Sequence, residues 1–243
     1  MPHNVHSSGE IARVGVAGAG QMGSGIAEVC ARAGLDVVVC EADAPSAEAG
    51  RTRILASLDR AVRAGKLDRP AAERAAWRLR FTADVGELAD RQLVIEAVAE
   101  DERSKTELFA ALDKAVADPG AILAPTTSSI PIMRLGMATG RAAQVVGPHF
   151  FNPAPVLPLV EVVGSLLTSP DTVDRVQRFA TGTLGEQAIR PATGPGSWST
   201  RCSCRIRSRR SGWSSPGSPR PPTSTAAWNW APRTRGARCG WPT

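Results

Sequence analysis

Gly18-Ala19-Gly20-Gln21-Met22-Gly23, with the carboxylate of Glu41 18 residues beyond the last glycine, is the first group in this 243-residue chain whose types and spacing suit a definite chemistry. Gly18 permits a tight turn, Gly20 lets backbone come close to a ligand's phosphates, and Gly23 lets a helix pack closely on the preceding strand. Ala19, Gln21 and Met22 complete the turn that would hold the ligand. A helix opening here offers unpaired N–H groups and a partial positive charge to a pyrophosphate. A carboxylate at Glu41 accepts hydrogen bonds from adenosine ribose hydroxyls and repels a 2′-phosphate, which favours NAD over NADP. Alone, the glycine spacing also fits an ordinary turn, and FAD proteins share it. What carries the dinucleotide reading is the order strand, turn, helix, strand, acid.

A second group is His149, within Gly147-Pro148-His149-Phe150-Phe151-Asn152-Pro153, and Glu161, twelve residues later. A lone His is usually structural. A His oriented by a carboxylate is a suitable general base for a hydroxyl proton, and the carboxylate stabilises the resulting imidazolium.

The elements that must position these residues are legible as apolar periodicity. Strands are expected at Arg13–Ala17, Asp36–Glu41, Leu93–Val98, Ala121–Ala124, Val145–Phe151 and Leu159–Val163. Helices are expected at Met22–Ala33, Ala47–Ala64, Pro70–Leu79, Glu102–Ala117 and Pro170–Thr183. Alternation of the two predicts an α/β fold of Rossmann type, doubly wound around a mostly parallel sheet. Thr126-Thr127-Ser128-Ser129 forms a polar turn after the fourth strand.

Composition bounds the rest. Hydrophobic residues make up 42% of the chain, enough for a packed core, and no apolar run is long enough to cross a bilayer. Met1–Glu10 has no apolar stretch that would read as a secretion signal, and Cys30 and Cys40 fall inside expected elements, so a reduced, cytoplasmic protein is expected. The net charge of +6 is unevenly spread: residues 191–243 hold nine Arg, no Lys and no acid. The 29 basic residues of the chain therefore leave 20 for the first 190, against 23 acidic. Five of the six Trp also lie in that last segment, with no Leu, Val or Phe.

Jointly, four stretches resemble the 3-hydroxyacyl-CoA dehydrogenase family, most closely its single-function bacterial 3-hydroxybutyryl-CoA members. They are Val16 to Ala27 around the glycine turn, Val94-Ile95-Glu96-Ala97-Val98-Ala99-Glu100, Thr127-Ser128-Ser129-Ile130, and His149 to Val156. The resemblance covers about Ala12 to Arg190. It implies NAD as cofactor and oxidation of an (S)-3-hydroxyacyl-CoA to the 3-oxo thioester. It implies His149 as catalytic base, Glu161 as its partner, and Ser128 in contact with substrate and nicotinamide. Asn152 is implied at the nicotinamide and substrate carbonyl, Glu100 and Lys105 at the cofactor, and Ser57 at CoA. The basic residue expected seven positions after Ser57 is Ala64, for which Arg63 or Lys66 could substitute. Pro125-Thr126 and Pro158 also depart from the family's pattern, without removing a catalytic group.

The resemblance further implies an all-α C-terminal domain that pairs subunits into a homodimer, and no such domain can be read in residues 191–243. A one-nucleotide frame slip near Arg190–Thr193 accounts for the change. Shifting the codon frame forces Glu at Trp228-Asn229, Leu at Asn229-Trp230, Gly at Trp230-Ala231 and Ala at Trp241-Pro242, all of which suit the family. Read as it stands, the segment has eight Pro and no apolar period, as in a disordered tail. Arg with interspersed Trp also suits a nucleic-acid-binding arm, a reading that the frame argument disfavours. Cys202 and Cys204 are followed by one further Cys and no His, so no metal site is expected.

Overall fold

The computed structural model describes residues 11–190. The readings of Met1–Glu10 and of residues 191–243, including the disordered tail, the arm and the Cys202/Cys204 pair, lie outside the described residues.

Five strands form one all-parallel sheet in the order β3-β2-β1-β4-β5. They are β1 (Arg13–Ala17), β2 (Asp36–Cys40), β3 (Leu79–Thr82), β4 (Leu93–Glu96) and β5 (Ile122–Pro125). The connecting helices are α1 (Gln21–Arg32), α2 (Ala44–Arg63), α3 (Arg69–Trp77) and α4 (Glu102–Ala115), with α5 (Ile132–Met137) after β5. Strand order reverses at β1, so the carboxyl ends of β1 and β4 flank a crevice where such sheets collect ligands.

The apolar strands are buried on both faces. Val14, Val16, Val37, Val39, Leu93 and Ile95 pack with Ile26 of α1 and with Ile54 and Leu58 of α2. Val38, Val94 and Leu123 pack on the opposite side with Phe109, Leu112 and Leu135. Burial on both sides is why these strands read as continuous apolar runs rather than as alternating ones. The helix starts follow from local chemistry. Asp43, Asp68 and Asp101 each accept a backbone N–H in the first turn of α2, α3 and α4.

Two expectations change. The helix expected to run to Leu79 stops at Trp77, and Leu79 instead opens β3, an edge strand too short to show a period of its own. The sheet is also not single. Strands β6 (Gly147–Phe150), β7 (Leu159–Val163) and β8 (Gln187–Ile189) form a separate three-stranded sheet, with β6 and β7 antiparallel. Leu123 and Val145 make an isolated parallel bridge where the chain leaves β5's side to begin β6. Pro148 has no N–H to donate, and β6 accordingly lies at the edge of its sheet. Helix α6 (Pro170–Arg178) and a wider π turn at Phe179–Thr183 precede β8.

Among the described residues no helix is long and apolar enough to cross a membrane. Cys30 and Cys40 are buried free thiols, pushed by burial up to about 12 and about 11, so neither is a ready nucleophile.

Candidate active site

The glycine turn leaves β1 directly into α1. Gly18 has φ +96°, and a Cβ there would stand 2.9 Å from the Ala97 backbone; at Gly23 it would stand 1.8 Å from the Gly18 carbonyl oxygen. A Cβ at Gly20, by contrast, would meet nothing within 4 Å. Gly18 and Gly23 are therefore demanded by the fold, whereas Gly20 faces open space. Helix α1 also starts without a side-chain cap and without an acidic residue in its first turn. Its leading N–H groups and positive dipole end are thus left for an anion, and the turn fits a dinucleotide pyrophosphate.

Glu41 follows β2 and accepts the Ala19 N–H at 2.5 Å, which holds its carboxylate against the turn. The Ala19 carbonyl accepts from Ser24 Oγ at 2.7 Å and from the Arg53 guanidinium. Arg53 was not foreseen. It reaches the turn because α2 packs against Ala19 at Gly50, where a Cβ would lie 2.4 Å from the Ala19 methyl group. The pair Gly50 and Arg53, one helical turn apart on α2, was the available signal.

His149 and Glu161 are directly opposed in the antiparallel register of β6 and β7. The Nε2 atom of His149 is 3.2 Å from Ser128 Oγ, and the Phe151 ring meets the imidazole edge-on at 5.3 Å between centroids. His149 Nδ1 and Glu161 Oε2 are buried and have no hydrogen-bond partner among the described residues. Burial holds the imidazole below its ordinary range, against an upward pull from the Glu100 charge. Burial pushes the Glu161 carboxyl up.

Ser128 owes its position to Glu100. The Glu100 Oε1 atom accepts from Thr127 Oγ1 at 2.5 Å, Ser128 N at 3.0 Å, Ser129 N at 3.1 Å and Ser129 Oγ at 2.9 Å. Burial works against ionisation of Glu100. The hydrogen bonds from Thr127 and Ser129 and the charge of Lys105 outweigh it and hold the carboxyl low. Lys105 is fully buried, with Nζ 2.7 and 3.0 Å from the Glu96 carboxylate oxygens, 3.0 Å from the Thr126 carbonyl and 3.4 Å from Glu100 Oε2. Its ammonium stands behind Glu100 and ties β4, α4 and the end of β5 together. Glu96 belongs to the same cluster, although sequence reasoning gave it no task. Its signal was an acidic residue closing a buried apolar strand. Asn152 lies exposed just past β6, three residues beyond His149.

Ser57 lines a cavity of about 420 Å³ where α1 and α2 meet the loop of residues 153–156, with Glu28, Arg32, Arg60, Ala64 and Lys66. Of the two substitutes expected for the missing basic residue, the fold brings Lys66 to this cavity and leaves Arg63 off its lining.

Residues 13–192 match the family model described as 3-hydroxyacyl-CoA dehydrogenase, NAD binding domain. The chain is 56% identical over 183 residues to a 3-hydroxybutyryl-CoA dehydrogenase of Mycobacterium tuberculosis, covering 75% of this chain and 64% of that protein. It is 44% identical over 168 residues to a probable 3-hydroxybutyryl-CoA dehydrogenase of Deinococcus radiodurans, covering 69% and 60%. Its fold superimposes on the crystal structure of M. tuberculosis FadB2 with TM-score 0.77 and 50% identity, covering 85% of this chain and 74% of that one. On the (S)-3-hydroxybutyryl-CoA dehydrogenase PaaH1 of Ralstonia eutropha the TM-score is 0.76 at 34% identity, with the same coverage. The chain thus spans less than two thirds of the length of these curated relatives.

Proposed function

The chain belongs to the 3-hydroxyacyl-CoA dehydrogenase family, and from that premise we propose that it binds NAD and oxidises an (S)-3-hydroxyacyl-CoA, of 3-hydroxybutyryl type, to the 3-oxoacyl-CoA. The single observation that carries this reading is the approach of Ser128 Oγ to His149 Nε2 at 3.2 Å, with Glu161 opposite His149 on the next strand.

The turn Gly18–Gly23 and the start of α1 would hold the pyrophosphate, and Glu41 the adenosine ribose. Glu100, Lys105, Ser128 and Asn152 would line the nicotinamide end, with Lys105 acting from behind Glu100. When bound, the nicotinamide supplies the hydride acceptor. His149 takes the hydroxyl proton at Nε2, the ring nitrogen that faces Ser128. Burial favours the neutral imidazole, the form able to accept a proton. Glu161, paired with His149 in the β6–β7 register, is the carboxylate that would steady the imidazolium once it meets Nδ1; the two are not hydrogen-bonded in this structure. Ser128 and Asn152 hold the substrate oxygen against Nε2. Ser57, Arg60 and Lys66, in the lining of the 420 Å³ cavity, suit the phosphates of CoA.

Residues 191–243 bear on whether this exact chain turns over. The alignments reach only 64% and 60% of the curated relatives' lengths, and this, with the abrupt change in composition after residue 190, supports the frame-slip reading of the tail. A second reading follows, in which the chain is a non-catalytic NAD-binding remnant that lacks the helical, dimerising part. One set of measurements separates the two. NAD binding followed by calorimetry is expected under both, while NADH consumption with acetoacetyl-CoA at 340 nm is expected at dehydrogenase rates under the first reading and only slight under the second. Turnover at ordinary dehydrogenase rates by the purified 243-residue protein would overturn the remnant reading. Absence of NAD binding would overturn both. Reading the coding DNA tests the slip directly: if no single-nucleotide insertion or deletion restores a longer frame, that idea fails.

A further inference from the structure

The cavity lined by Ser57 contains one group that phosphate binding does not use. Glu28 sits on α1 and is 1% exposed. Its Oε1 lies 3.4 Å from Arg32 Nη1, but its Oε2 is buried with no hydrogen-bond partner among the described residues. Glu28 lines the cavity together with Ser57, Arg60 and Lys66.

A buried carboxylate oxygen without a donor is unfavourable, so the fold is completed by something that brings one. The donor cannot be a phosphate, which carries none when ionised and which the carboxylate repels. The lining therefore offers two kinds of contact. Arg60 and Lys66 suit an anion, whereas Glu28 suits a neutral group with an N–H. A thioester of coenzyme A has these two features in one molecule, a phosphorylated adenosine and a pantetheine arm with two amide N–H groups.

We propose that Glu28 is a substrate-binding residue that accepts an amide N–H of the pantetheine arm at Oε2. The inference rests on the acyl-CoA reading above and adds to it the residue that reads the arm rather than the phosphates. Arg32 holds the other carboxylate oxygen, and because Oε2 is buried, the contact requires the Glu28 side chain to turn into the cavity that the residue lines.

The test is calorimetry on the full chain saturated with NAD, so that the dinucleotide site is closed to competing nucleotides. The two probes are coenzyme A and adenosine 3′,5′-bisphosphate, which carries phosphates but no pantetheine. The wild-type chain is expected to bind coenzyme A at least about tenfold more tightly than the bisphosphate. Glu28→Met, close in volume, should remove that preference and leave the bisphosphate affinity unchanged. Glu28→Gln keeps an acceptor oxygen and should retain most of the preference. Arg60→Ala should weaken both probes alike.

Equal affinity of the wild-type chain for the two probes would overturn the proposal even if no Glu28 variant folds. So would a Glu28→Met variant that loses both probes equally, since Glu28 would then serve only to hold Arg32, or one that loses neither. If the wild-type chain binds NAD but neither probe, the acyl-CoA reading itself fails, and the role of Glu28 fails with it.

Discussion

His149 and Glu161 face each other across the β6–β7 pair, and each keeps a buried polar atom without a partner among the described residues, Nδ1 on one and Oε2 on the other. The arrangement costs stability before any ligand arrives. Burial disfavours the charged form of both groups, so it lowers the pKa of the imidazole and raises that of the carboxyl. Sites held at such a cost are characteristic of catalysis rather than of packing.

Glu161→Gln should therefore stabilise the fold at pH 8. The folded pKa of Glu161 is raised above its ordinary 4.5, so its contribution is favourable below that value and is lost as pH rises through the folded pKa. At pH 8 the charge is a burden that the amide removes, and Tm should rise by a few degrees. At pH 4 the two proteins should melt together. A variant that melts lower at both pH values would show instead that the carboxylate is well satisfied in the fold.

His149 follows the opposite sign. Its folded pKa lies below the ordinary 6.5, so its favourable contribution is present above that value and fades as pH falls through the folded pKa. Glu100 is the charge that pulls this pKa upward. Glu100→Gln should move the imidazole titration, followed by NMR, to still lower pH. No movement would mean that solvent screens Glu100 from the ring.

The glycines of the turn should separate folding from binding. Gly23→Ala places a methyl group 1.8 Å from the Gly18 carbonyl and should lower Tm sharply as well as abolish NAD binding. Gly20→Ala meets nothing within 4 Å, and the backbone there has φ −61°, which alanine adopts freely. Its Tm should stay near wild type while NADH affinity, read by fluorescence, falls by about tenfold or more, because the methyl group occupies the space the pyrophosphate needs. Unchanged affinity in Gly20→Ala would show that the turn does not approach phosphate.

Lys105→Met should damage the fold more than a surface change of the same size. It leaves Glu96, which is fully buried, without its cation, and breaking a buried pair costs about 3–5 kcal/mol. For a chain of this size that corresponds to a fall in Tm of roughly 10 °C or more. The double variant Glu96→Gln with Lys105→Met should recover much of it. If recovery is complete and NAD affinity is also normal, the pair plays no part in setting Glu100 and the Ser128 turn.

The features most legible in the sequence are those whose parts lie close together along the chain. The Gly18–Gly23 turn, its strand and helix, and Glu41 at the end of the next strand are local features whose demands are written in residue type and spacing. The motif stretches around Ser128 and His149 likewise disclosed the family, which the match over residues 13–192 shows. Other features were decided only by tertiary structure, because they depend on how distant segments pack. Edge strands β3 and β8 are too short for their periods to be read. Arg53 reaches Ala19 across 34 residues only because α2 closes on the turn at Gly50. The resemblance implies Lys105 at the cofactor, but that it is buried on Glu96 follows only from the packing of α4 against β4. Lys66 rather than Arg63 lines the cavity because α2 ends at Arg63 and the chain turns back through Gly65. The opposition of His149 and Glu161 was expected as a pairing of roles, but their register is a property of two strands hydrogen-bonded in opposite directions. A shift of one residue in that ladder would have sent the two side chains to opposite faces of the sheet.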